Sequence, residues 1–184
     1  MADRRTAGPA RRRVMTLVAS VALLLTTAGG LAAAPAAYGA PSPVLSCLGT
    51  ETFTYQPALT NTPRPTLVHA AINLNLCLLG GVTSGKGQYS ITATVSCTGA
   101  GLLPPAFSDI YQWSNGTSST VTYTASVTTP VNGTVIITDT GTVTSGFDQG
   151  AAANATTTVP ELNLTACAGT GVSQQTGSYV VTFA

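Results

Sequence analysis

The sequence predicts an all-β domain, an antiparallel β-sandwich of about eight or nine strands held by two disulfides. Three observations predict it. Helical periodicity is absent after the first 39 residues, and Thr, Val, Gly and Ser dominate there, a composition that suits strands. The stretch Tyr111–Thr144 reads as three extended runs joined by Asn115-Gly116 and Asn132-Gly133, the strongest short-range hairpin signal. Four cysteines, Cys47, Cys77, Cys97 and Cys167, all follow the leader, an even number that reads as two bridges in an oxidising compartment.

The leader comes first in the chain. Arg4, Arg5, Arg11, Arg12 and Arg13 precede an apolar run from Val14 to Leu25, and small residues continue through Ala40. This is the layout of a secretory signal peptide over residues 1–39, with cleavage after Gly39 or after Ala36. The arginine run admits twin-arginine export beside the ordinary route. The apolar run falls short of the ~20 residues of a membrane span. Residues 40–184 are then one secreted domain. It keeps Arg64 and Lys86 against five carboxylates, a net charge of −3. No basic stripe remains for nucleic acid or an anionic membrane surface.

The strands follow in order. Thr50–Tyr55 alternates around Phe53 and Tyr55, and Pro57, Pro63 and Pro65 mark a connection, since proline donates nothing to a ladder. Leu67–Leu78 carries Val68, Ala70, Ile72, Leu74, Leu76 and Leu78 on one face, and His69, Asn73 and Asn75 on the other. Tyr89–Cys97 presents Tyr89, Ile91, Ala93 and Val95 inward, after a glycine-rich turn. Gly99–Ala106, with Pro104-Pro105, is a second connection.

In the Tyr111–Thr144 meander, odd positions must meet odd positions for Val121, Tyr123, Ala125 and Val127 to share a face with Val135, Ile137 and Val143. Three-residue loops satisfy this, Ser114-Asn115-Gly116 and Val131-Asn132-Gly133, each with glycine left-handed. Tyr111 and Trp113 then join the core face. Asp139 falls inward, opposite Ala125, which calls for a bulge or a polar partner. Ala151–Thr158, all small residues and threonine, reads as an edge strand. Leu162–Thr165 reads as a short strand and Ser178–Phe183 as the last.

An internal repeat links Leu74-Asn75-Leu76-Cys77 to Leu162-Asn163-Leu164…Cys167; Val, Gly, Tyr and an aliphatic residue recur at matching offsets behind each cysteine. If the two units are equivalent, each cysteine has its own partner. That favours Cys47–Cys77 with Cys97–Cys167, and the two other connectivities stay open. Cysteine gaps of 30, 20 and 70 residues and a single histidine argue against zinc. No cofactor is called for.

A catalytic reading has little to stand on. His69 is the sole imidazole, no Gly-x-Ser-x-Gly elbow occurs, and the carboxylates are scattered. The outer row His69, Asn73 and Asn75 is a candidate ligand face. Leu102, Leu103, Pro104 and Pro105 form a candidate inhibitory loop.

The leader, the phrase Phe53-Thr-Tyr-Gln-Pro-Ala-Leu-Thr-Asn-Thr-Pro63, the segment Trp113-Ser-Asn-Gly-Thr-Ser-Ser-Thr-Val-Thr-Tyr123 and the phrase Gly141-Thr-Val-Thr-Ser-Gly146 resemble small secreted proteins of actinobacteria whose function is mostly unassigned. The resemblance implies secretion and an immunoglobulin-like sandwich, and it brings no catalytic residues. The enediyne-carrying apoproteins and the subtilisin-inhibitor family share the size and four cysteines, but their cysteine spacing differs, and no site is carried over.

The expected function is a non-enzymatic binding or envelope-associated module. Its expected partner is envelope polysaccharide or a secreted protein. The alternative is an inhibitor of a secreted hydrolase, and a weaker one is a hydrolase.

Overall fold

The computed structural model describes residues 45–98 and 106–184. Eight antiparallel strands follow one another: β1 Leu45–Leu59, β2 Arg64–Leu78, β3 Gly85–Val95, β4 Phe107–Trp113, β5 Ser118–Val131, β6 Thr134–Gly146, β7 Ala152–Pro160 and β8 Val172–Phe183, with a short helix α1, Leu164–Ala168, before the last. Each strand pairs with the next, and β8 returns to pair with β1 from Leu45–Phe183 to Thr54–Gln174. The sheet is a closed barrel. It is not an open two-sheet sandwich, and the immunoglobulin-like expectation is corrected.

The physical reason lies in strand length and bulges. Five strands run 12 to 15 residues, and extra residues bend them as they go. Asn75 is unmatched where the β1–β2 register shifts after Leu48, and Thr124 is unmatched where β5–β6 shifts after Tyr123. Bulges coil a strand so that a sheet can close on itself. β7 is no edge: it pairs with β6 and β8. Closure leaves no free edge to protect.

The first Asn-Gly turn has three residues. Trp113 N–H donates to Thr117 O at 2.8 Å, and Gly116 has φ +84°. The second differs from expectation. Val131 pairs directly with Thr134, so Asn132 (φ 46°) and Gly133 (φ 81°) alone make the turn. A two-residue turn pairs odd with even, and the Thr124 bulge restores odd with odd at Tyr123–Gly141. Ala125 and Val127 therefore face outward, and Thr128 and Pro130 face inward. The Asn75 bulge likewise turns Leu76 and Leu78 out and Cys77 in.

One end of the interior is solid. Trp113, Phe183, Leu45, Ile72, Leu74, Val143 and Val181 pack there, with Trp113 edge-on to Phe183 at 5.8 Å. The outer face carries rows such as Thr140, Thr142 and Thr144, a polarity opposite to that of a lipid-facing barrel wall. No helix among the described residues is long and apolar enough to cross a membrane.

Cys47 is bonded to Cys77, its direct neighbour across β1–β2, and Cys97 to Cys167. The repeat favoured this pairing, yet its two units are not equivalent. Cys77 lies on a strand, whereas Leu162-Asn163-Leu164 enters a helix. Asn163 caps α1, its Oδ1 accepting from Thr165 N–H at 2.9 Å and Ala166 N–H at 3.1 Å. The expected strand over 162–165 is thus replaced by a capped helical turn, because asparagine there satisfies free helical N–H groups. Two disulfides are consistent with an extracellular protein.

Candidate functional site

Among the described residues the other end of the barrel is open. A cavity of about 470 Å³ lies in its mouth, lined by Phe53, Tyr55, Val68, Tyr89, Ile91 and Phe107 on one side and Val135, Ile137 and Val159 on the other. Strand alternation places them. Phe53 and Tyr55 are inward on β1, Tyr89 and Ile91 on β3, and Val135 and Ile137 on β6. Several of these inward side chains are only half-buried, including Tyr89, Ile91, Val135 and Ile137. An inward apolar residue keeps exposure only where the barrel is unfilled. Eight strands leave room for a packed core or for one small ligand, and this interior is packed at one end and hollow at the other.

α1 stands at the rim. The Cys97–Cys167 bond joins it to the segment after β3, and Leu59, Cys97 and Cys167 form a small cluster with Leu162 and Val172. Leu162 and Leu164 line the mouth. Tyr55 donates its hydroxyl to Gln175 Oε1 at 3.1 Å, and Gln175 donates to Pro160 O. Tyr89 and Phe107 lean together at 4.7 Å, and Phe107 meets Tyr123 at 5.2 Å.

Three buried acids lie beneath the cavity, and one of them, Asp139, lines it. Glu51, Asp109 and Asp139 are 2%, 0% and 6% exposed. Each is an odd residue on an otherwise apolar inward face. Glu51 lies between Gly49 and Phe53, Asp109 between Phe107 and Tyr111, and Asp139 between Ile137 and Gly141. Thr157 donates to Glu51 Oε2. Asp109 lies beside the Tyr111 hydroxyl and the Gln88 and Ile110 N–H groups, which partly offset its burial, and Asp139 Oδ1 has no hydrogen-bond partner. Asp139 faces Ser126 across β5–β6, not Ala125, because of the bulge.

Burial without a cation shifts all three upward. Desolvation pushes Glu51 to about 8, with Thr157 opposing and the Asp109 and Asp139 charges adding to the rise. Desolvation likewise lifts Asp109 to about 6. Asp139 is raised by burial, with Ser126 opposing. Beneath them Tyr111 joins two other phenols, its hydroxyl 2.9 Å from Tyr123 Oη and 2.6 Å from Tyr179 Oη. Among the described residues no group of three His, Cys, Asp or Glu is placed to hold a metal ion.

The residues singled out from the sequence lie elsewhere. His69, Asn73 and Asn75 are exposed on the outer wall of β2, and His69 Nδ1 is 2.9 Å from Ser90 Oγ. They do not line the cavity. Leu102, Leu103, Pro104 and Pro105 lie outside the described residues, as does the leader 1–39. Tyr111, Trp113 and Tyr123 are core residues. The signal for the three acids was present in the period-two phase of three strands, each of which places one carboxylate among apolar inward residues.

No family model matches the chain, and no curated protein and no solved structure matches it either.

Proposed function

We propose that this is a secreted, non-enzymatic binding protein that takes one small, largely apolar molecule into the mouth of its barrel. The open 470 Å³ cavity walled by aromatic and aliphatic side chains carries the reading. Its size suits a small organic ligand, and the polar groups of Ser96, Thr98, Thr128, Gln175, Asp139 and Glu161 suit orientation of that ligand. The driving force is removal of the ligand's apolar surface from water, about 25 cal/mol per Å². The rigid wall adds to it, since a preformed site loses little entropy on binding. Export fits the two disulfides and the leader.

The test is titration of the oxidised protein with the neutral apolar dye Nile red, beside an Ile91→Trp variant that fills the cavity from β3. The expected result is saturable one-site binding with a blue-shifted emission, lost in Ile91→Trp. Equal binding by both proteins, or none by either, overturns the reading.

A further inference from the structure

The cavity has a charge preference built into it. Among the described residues two carboxylates line it, Asp139 at depth and Glu161 at the rim, and no Lys, Arg or His does. Arg64 on β2 is not among the lining residues; its Nη2 donates to Ala58 O, and its buried Nε has no partner. Asp139 is 6% exposed, and its Oδ1 has no partner. Behind it stand Glu51 and Asp109, also buried and both close enough to feel the charge of Asp139. A buried acidic oxygen without a donor is costly, and the Ser126 hydroxyl, across β5–β6, offsets the burial only in part.

Resting on the binding function above, we propose that the cavity selects a ligand that joins an apolar body to one cationic amine, with Asp139 as its counter-ion. An ammonium group would give Oδ1 the donor that it lacks. It would also sit among the faces of Tyr55, Tyr89 and Phe107, whose π-electrons attract a cation. A carboxylate on the same body would meet Asp139, with Glu51 and Asp109 behind it, and no cation among the described lining residues, so anionic ligands are refused. Glu161, exposed at the rim, is screened by solvent and contributes little beyond steering.

The test uses a matched set with one hydrocarbon body: decylamine, decanol and decanoate, each competed against Nile red at pH 7.5. The wild-type protein is expected to bind decylamine about tenfold more tightly than decanol, and decanoate more weakly than both. Asp139→Asn is expected to erase the amine preference, so that amine and alcohol bind alike, and a cooperative urea transition shows that the variant is folded. Glu161→Gln is expected to keep the preference. Equal affinity for amine and alcohol, or a preference that survives in Asp139→Asn, overturns the proposal while leaving the apolar cavity standing. Failure of decanol itself to bind overturns the cavity reading beneath it.

Discussion

The Thr157 hydroxyl donates to Glu51 Oε2 inside the barrel, joining β7 to β1 across the intervening β8. This bond is made to a carboxyl that is 2% exposed and has no cation near it. The acid is therefore retained in its protonated form over most of the physiological range.

Stability follows from that proton. In the unfolded chain the Glu51 carboxyl ionises near its ordinary 4.5, and in the fold only near 8. Between these values the native state holds the extra proton, so stability falls as pH rises. Its contribution is complete below about pH 4.5 and gone above about 8. Asp109 acts in the same direction, from 3.8 to about 6. Denaturant unfolding at pH 5 and pH 8 is expected to show greater stability at pH 5. Glu51→Gln, which needs no proton, is expected to flatten the profile and gain ~3 kcal/mol at pH 8. Parallel profiles for the two proteins would contradict the assignment.

The phenol cluster makes a ranked prediction. Tyr111 contacts both Tyr123 and Tyr179 through its hydroxyl. Tyr111→Phe strands two buried hydroxyls and is expected to cost ~2 kcal/mol. Tyr123→Phe leaves the other bond intact and is expected to cost ~1 kcal/mol. Urea midpoints of the two variants check the order.

The Thr124 bulge rests on Gly141. A Cβ there would lie 2.1 Å from Thr122 O and 2.7 Å from Tyr123 Cα, both backbone. Backbone cannot move aside cheaply, so Gly141→Ala is expected to cost ~3 kcal/mol. Gly141 lies two residues from Asp139 on β6, so the substitution is also expected to weaken ligand uptake, as a dye titration would report.

The disulfides divide the labour between the two barrel ends. Cys97–Cys167 fixes α1 at the mouth, and Cys47–Cys77 staples β1 to β2 at the solid end. Closing a loop of 70 residues is worth ~4 kcal/mol in the chain-entropy model. Replacing Cys97 and Cys167 by alanine is expected to weaken dye binding and lower stability. Replacing Cys47 and Cys77 is expected to lower stability alone. Thermal melts alongside dye titrations separate the two effects.

Local patterns in the sequence carried the strands and most of the core. Period-two alternation identified Val68 to Leu74, Tyr89 to Val95, and Tyr111 with Trp113, because each run spans one unbroken pleat. Errors began at the bulges. Nothing in the residue pattern marks Asn75 or Thr124 as unmatched, so alternation alone places Leu76, Leu78, Ala125 and Val127 on the core face, whereas all four face outward. Closure was illegible for a related reason. Whether β8 meets β1 depends on the accumulated bend of all eight strands, a sum that no single segment contains. The site was hidden by its composition. Its walls are ordinary core residues, and only three-dimensional closure shows which of them are left without neighbours. His69, Asn73 and Asn75 drew attention because they are polar in an apolar strand, but their alternation also says that they face outward.

The central claim is that ligand enters the barrel mouth. Two-dimensional ¹⁵N–¹H and methyl NMR spectra of the oxidised protein, recorded with and without decylamine, test it most directly. The account predicts shifts confined to Ile91, Val135, Ile137, Asp139 and Gln175, with Val143, Val181 and the outer-wall amides of His69, Asn73 and Asn75 unmoved. Shifts on the His69 row, with the mouth unchanged, would contradict it.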